Sequence, residues 1–237
     1  MINATIYLIP IALHEDEKAI EAIPSYIKNA VGKCNVFYVE NERTARRFLK
    51  KIWPAINIDA YEWHTIHKAE TGVTDLFKRD IQQKKTIGIM SEAGCPGIAD
   101  PGQILINVAQ EMNTKVTPLV GPNSILLALM ASGMNGQCFQ FVGYLPVDST
   151  ERKKKISDLE NESQKKNCTQ VFIETPYRNT PLLNDILSTA KPETQLCIAV
   201  DITASTELIK TKNIKDWKSK QPDLHKRPAI FLLYAGK

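Results

Sequence analysis

In the first half of the chain, short runs of apolar residues alternate with longer stretches in which apolar residues recur every three or four positions. Runs at 5–9, 36–39, 58–61, 86–90 and 115–117 are rich in β-branched and aromatic residues and predict strands. Stretches 15–28, 43–52, 73–83 and 103–112 carry a helical stripe. Such alternation predicts an α/β unit with a parallel sheet covered on both faces. After Gly121-Pro122 come an apolar helix over 125–130 and strands at 138–142, 169–173, 196–200 and 229–234. Helices are expected near 150–161 and 181–188. The Val120-Gly-Pro122 turn is the expected boundary, giving domains 1–119 and 120–237, and the absence of a low-complexity linker predicts a cleft held between them.

The most informative stretch is Ile87-Gly-Ile-Met-Ser-Glu-Ala-Gly-Cys-Pro-Gly-Ile-Ala-Asp-Pro-Gly102, which runs from an apolar strand through a loop of Gly, Pro and Ala into a helix. A loop without side-chain bulk presents its backbone donors and acceptors, and strand-to-helix crevices are where open α/β sheets bind small molecules. The alternative is a tight turn that needs Gly and Pro for geometry alone. A second such segment, Val116-Thr-Pro-Leu-Val-Gly-Pro-Asn-Ser124, leads into the apolar helix.

Composition narrows the class. With 237 residues, 43% of them apolar, the chain can build a core. No apolar run reaches membrane-spanning length and the amino terminus lacks a basic-then-apolar signal, so a cytoplasmic protein without a membrane partner is expected. Cys34, Cys95, Cys138, Cys168 and Cys197 are scattered, which favours neither a zinc knuckle nor a disulfide scaffold. Cys95 lies in the Gly-rich loop, but no His is near it in sequence to make it a nucleophile. His64 and His67 are three apart, yet no acidic or Cys partner completes a set nearby, and no metal site is expected. Trp53, Tyr61 and Trp63 can stack on a base or cover the edge of the sheet.

Charge is unevenly placed. Residues 1–146 carry 14 basic and 14 acidic side chains, whereas residues 147–237 carry 16 basic and 12 acidic, so the net charge of +4 belongs to the second half. Its clusters include Arg152-Lys-Lys-Lys155, Lys165-Lys166, the series Lys210, Lys212, Lys215, Lys218 and Lys220, and Lys226-Arg227. They suit RNA phosphates. The alternative is a set of solvated faces, since Glu151, Asp158, Glu160 and Glu162 interrupt the first cluster.

Taken together, the two Gly-Pro segments resemble the tetrapyrrole methylase superfamily, and within it the branch of small-subunit ribosomal RNA 2′-O-methyltransferases, whose loops read approximately SDAGTPLISDPG and PLPGPxAxxxAL. Here Glu92 replaces the family Asp. Phe141-Val-Gly-Tyr-Leu-Pro146 is similar to the branch's FxGFLP, Val171-Phe-Ile-Glu-Thr-Pro-Tyr-Arg178 to its VFYESxxR, and Arg227-Pro-Ala-Ile-Phe-Leu-Leu-Tyr-Ala-Gly236 to KGEFVLVIEG. The segments keep family order over most of the chain. The resemblance implies a two-domain α/β fold, with a parallel N-terminal sheet and a mixed C-terminal sheet, and S-adenosylmethionine folded in the cleft. It also implies RNA or the ribosomal small subunit as partner, and a homodimer.

Carried over by position, the resemblance assigns adenosylmethionine contacts to Pro10, Ala93, Gly94, Cys95, Ile98, Asn123, Ser124 and Ala229, with Glu174, Asp201, Pro228 and Ile230 closing the pocket. Ordinary alternatives are a capping role for Ser124 and a strand end at Pro10. Glu92 and Glu174 are the candidate catalytic carboxylates for taking a proton from an acceptor hydroxyl; the alternative for Glu174 is an ion pair with Arg178. The chain departs from the branch near its amino terminus, with Ile9-Pro-Ile-Ala-Leu-His-Glu-Asp16 in place of PTPIGN and Val39-Glu-Asn-Glu-Arg-Thr44 in place of AEDTR. Those departures leave two alternatives beside an RNA methyltransferase: a methylase of a small tetrapyrrole precursor, and a non-catalytic binder of adenosylmethionine or RNA.

Overall fold

The structure, a computed structural model, describes residues 4–66 and 71–236. The chain divides into two compact units, Met1–Asn123 and Ser124–Lys237. Among the described residues no helix is long and apolar enough to cross a membrane.

The first unit holds a five-stranded parallel sheet of β1 (Thr5–Leu8), β2 (Val36–Val39), β3 (Glu62–Thr65), β4 (Thr86–Met90) and β5 (Lys115–Pro118), in the order β3-β2-β4-β1-β5. Every residue of β2 is buried, as expected of a central strand covered on both faces. Helices α1 (Ile27–Val31) and α2 (Glu42–Ile52) supply one core with Phe37 and Val39. The core on the other face takes residues from α3 (Thr71–Gln82) and α4 (Gln103–Glu111) with Val36, Tyr38, Ile87 and Ile89. Gly88 has no room for a side chain: a Cβ there would lie 2.5 Å from the Phe37 ring.

Two of the expected elements are displaced. The apolar residues near 58–61 form a 3-10 turn, Ile58–Ala60, and the strand follows at β3, a polar edge strand whose apolar anchor is Trp63. The helix expected over 15–28 is a 3-10 turn, Glu17–Ala22, followed by the short α1, because Pro24 lacks the amide proton and fixes its own φ.

The second unit begins at α5 (Ser124–Ser132), which packs on β8, β9 and β10. Its mixed sheet has the order β6-β7-β10-β8-β9, made of β6 (Phe139–Tyr144), β7 (Thr169–Ile173), β8 (Gln195–Val200), β9 (Leu208–Asn213) and β10 (Ala229–Tyr234). Strands β6 and β7 run parallel and the other pairs antiparallel. The core on the other face is built with α6 (Ser149–Lys166), α7 (Asn179–Thr189) and α8 (Ile214–Trp217). Asp148 starts α6 by accepting the amide protons of Thr150 and Glu151, each at 2.9 Å, and Asn167 ends it at φ 53°.

Candidate active site

In the first unit the strand order reverses between β1 and β4, so the loops leaving their carboxyl ends diverge to opposite faces and open a crevice. Both predicted loops meet there. Ile11 donates its amide to the Gly94 carbonyl at 2.8 Å and accepts from the Gly94 amide at 3.0 Å. The thiol of Cys95 reaches the carbonyls of Gly121 at 3.9 Å and Pro122 at 3.5 Å and hydrogen-bonds Asn123. Burial raises that thiol above its ordinary value, which suits a packed residue better than a nucleophile. The Pro10 ring lies on Gly121 so closely that a Cβ there would stand 2.2 Å from the Pro10 Cβ. Gly94, Gly97 and Gly102 adopt φ of 72°, 80° and 109°, conformations that a side chain would strain.

The fold thus gathers Pro10, Gly94, Cys95 and Asn123 in one crevice, with Ala93 and Ile98 exposed on the same loop. Glu92 is exposed at the end of β4, and its amide donates to Glu40 Oε2 at 3.1 Å. Asp100, which sequence reasoning passed over, completes a trio of carboxylates. Burial chiefly, then the charges of Glu40 and Glu92, push its pKa from 3.8 up to about 6, against a hydrogen bond from Ser91 that works the other way. The signal was present in sequence only as the Asp of Ala99-Asp-Pro-Gly102.

Ser124, Glu174 and Ala229 lie in the second unit. Ser124 is the first residue of α5. Ala229 opens β10, where Ile230 pairs with Ile173, so Glu174 sits beside it at the end of β7. The Glu174 side chain is fully buried; its Oε1 accepts from the Thr175 amide at 2.6 Å and from Arg178 at 2.7 and 3.0 Å. The ion pair posed as the alternative therefore exists. Across the same strand end, Asp201 Oδ2 accepts from Arg227 Nε at 2.8 Å and from the Thr206 hydroxyl at 2.8 Å. Glu174 Oε2 and Asp201 Oδ1 are buried acceptors without a protein donor.

His64 meets Glu62, two residues before it, and Asp80, sixteen residues on, with ligand atoms within 4.8 Å of one another, so acidic partners do stand beside it. Lys85 already bridges those carboxylates at 2.7 and 2.9 Å, and Tyr38 donates to Asp80 at 2.7 Å. His67 lies outside the described residues. Trp53, Tyr61 and Trp63 cover the sheet rather than stand free: Trp63 stacks on Phe37 with ring centroids 4.9 Å apart and Tyr61 meets it edge-on at 5.1 Å. Arg152 leaves its basic cluster altogether, buried against Asp185 and the carbonyls of Pro146 and Val147.

The methyltransferase CobJ superposes on 98% of this chain and 93% of its own with a TM-score of 0.63 at 13% identity. The chain shares the fold of that methyltransferase. A second solved structure with this fold, uroporphyrin-III C-methyltransferase from Thermus thermophilus complexed with S-adenosylhomocysteine, covers 98% of this chain and 97% of its own at a TM-score of 0.57 and 14% identity. No protein-family model matches the sequence. Among curated relatives, ribosomal RNA small subunit methyltransferase I of Vibrio cholerae is 31% identical over 152 residues, 63% of this chain and 51% of that protein. The Haemophilus influenzae protein of the same name is 31% identical over 160 residues, 66% of this chain and 55% of its own. The chain spans about half the length of the curated relatives it matches.

Proposed function

We propose that the chain is an S-adenosylmethionine-dependent methyltransferase acting on RNA, at the 2′-hydroxyl of a cytidine in small-subunit ribosomal RNA. One observation carries the reading: the crevice built by Pro10, Gly94, Cys95 and Asn123 presents main-chain groups with almost no side-chain bulk, in a chain whose relatives are named ribosomal RNA small subunit methyltransferase I. That cradle fits a donor held mainly through peptide groups. Ala93, Gly94, Cys95, Ile98, Asn123 and Pro10 would hold it on the first unit.

Bound there, adenosylmethionine supplies a methyl carbon on a cationic sulfur that leaves with the bonding pair, so the acceptor hydroxyl need only lose its proton. The protein's task is alignment, which can supply roughly 7–11 kcal/mol of a barrier. A carboxylate that takes the proton adds about 10²–10⁴-fold. Glu92 is exposed at the end of β4 and free to meet an acceptor, and Asp100 beside it is tuned near neutrality, where a base works best. Glu174, held by Arg178 and the Thr175 amide, acts by keeping its loop in place.

The test is methyl transfer from labelled adenosylmethionine to small ribosomal subunits, free RNA and a tetrapyrrole acceptor in parallel. Label in the ribosomal RNA supports the reading; label only in the tetrapyrrole, or none anywhere, overturns it. Glu92→Gln and Glu174→Gln at saturating donor then sort the carboxylates, since unchanged turnover removes a residue from the chemistry. A ribosomal substrate places the enzyme in the cytoplasm, and we carry a homodimer as its assembly, to be read by sedimentation equilibrium.

A further inference from the structure

At one end of the second unit's sheet, loops 174–179 and 223–228 are braced against each other. Lys226 donates its amide to the Pro176 carbonyl at 3.3 Å, and Asn179 Nδ2 donates to the Arg227 carbonyl at 2.7 Å. Each loop is also pinned from below by a buried carboxylate, Glu174 to Arg178 at 2.7 Å and Asp201 to Arg227 at 2.7 Å. Arg227 further donates to the carbonyls of Asp223 at 3.0 Å and Thr206 at 2.8 Å. This rigid base lifts one side chain into solvent: Tyr177 is 72% exposed. Lys226, at φ 58°, carries its ammonium over the Tyr177 ring, 5.9 Å from the centroid. His225 is exposed next to it.

We propose that the braced Tyr177–Lys226 pair is a stacking platform for an unpaired nucleotide of the RNA substrate. The proposal rests on the RNA reading above. An unpaired nucleotide offers a π face, which stacks on an exposed aromatic ring, and an adjoining phosphate, which an unpaired ammonium neutralises. Both groups stand on one spot of the unit that holds the whole net positive charge of the chain. Among the described residues neither Lys226 nor Tyr177 takes part in an ion pair or side-chain hydrogen bond. The two carboxylate–arginine braces fix the loops that carry the ring before RNA arrives, which limits the ordering cost of binding.

The experiment is fluorescence anisotropy of a labelled short single-stranded RNA at fixed salt, with S-adenosylhomocysteine binding measured by calorimetry on the same proteins. Tyr177→Ala is expected to weaken RNA binding roughly 5- to 150-fold, the range of a lost base–aromatic stack, while binding of S-adenosylhomocysteine stays as in the parent. Tyr177→Phe restores the RNA affinity, and Lys226→Ala lowers the steepness of its salt dependence. Parent-like RNA binding by Tyr177→Ala overturns the platform and leaves the RNA reading standing. Weakened S-adenosylhomocysteine binding with RNA binding intact also overturns it, by giving the ring to the donor. A parent protein that binds no RNA overturns the platform and the RNA reading together.

Discussion

Replacing Asp100 by Asn is expected to stabilise the protein at neutral pH and above, but not in acid. In the folded chain burial and the neighbouring Glu40 and Glu92 raise the Asp100 carboxyl from 3.8 to about 6. Below the lower value both folded and unfolded states carry the proton and the residue costs nothing. As pH rises through the window from 3.8 to about 6, the unfolded chain releases its proton first, stability falls, and above the window the full penalty persists. A shift of this size corresponds to about 3 kcal/mol at most; Asp100 is only half-buried, and solvent screening reduces the figure to about 1–2 kcal/mol. Asn keeps the shape and the hydrogen bond with Ser91 but has no charge to repel. Urea denaturation of both proteins at several pH values between 4 and 8 measures the difference. The gain should be near zero at pH 4, grow across the window and level off above it. A gain of equal size at pH 4 and pH 8, or a loss at pH 8, would refute the repulsion argument. The same variant should lose methyl transfer if Asp100 takes the acceptor proton, so stability and activity are expected to move in opposite directions.

Three further outcomes follow from the packing. Gly121→Ala must move the Pro10 ring from a Cβ contact of 2.2 Å, and a cost of roughly 1–3 kcal/mol is expected in thermal unfolding together with weaker S-adenosylhomocysteine binding by calorimetry. Arg152→Met leaves Asp185 buried with only the Ser149 hydroxyl, at 3.1 Å, and Lys153, at 3.5 Å, and should destabilise by about 3 kcal/mol in urea, while the double variant with Asp185→Leu recovers most of the loss. Thiol titration of the native protein should label exposed Cys138 first. Buried Cys168 and Cys197, and Cys34, whose thiol burial pushes up to about 12, should react only on unfolding; rapid native labelling of Cys34 would contradict its packing.

The alternation of strand and helix, the Gly-rich loop and the turn at Gly121 were legible because each depends on local chemistry: apolar period, missing amide protons and permissive backbone. Where local chemistry is ambiguous the reading slipped. The strand expected at 58–61 moved to β3 because edge strands need little apolar content, and β9 escaped notice for the same reason, its Lys210 and Lys212 protecting an edge rather than filling a core.

The sequence by itself determined the succession of elements and the segment that could cradle a ligand through its backbone. Only the tertiary structure decided which charges meet: Glu40, Glu92 and Asp100 at one strand end, Lys85 between Glu62 and Asp80, Arg152 beneath Asp185, and the two braces under Tyr177. Such pairings join residues up to dozens of positions apart, and electrostatic energy depends on distance and burial, which one-dimensional spacing does not carry.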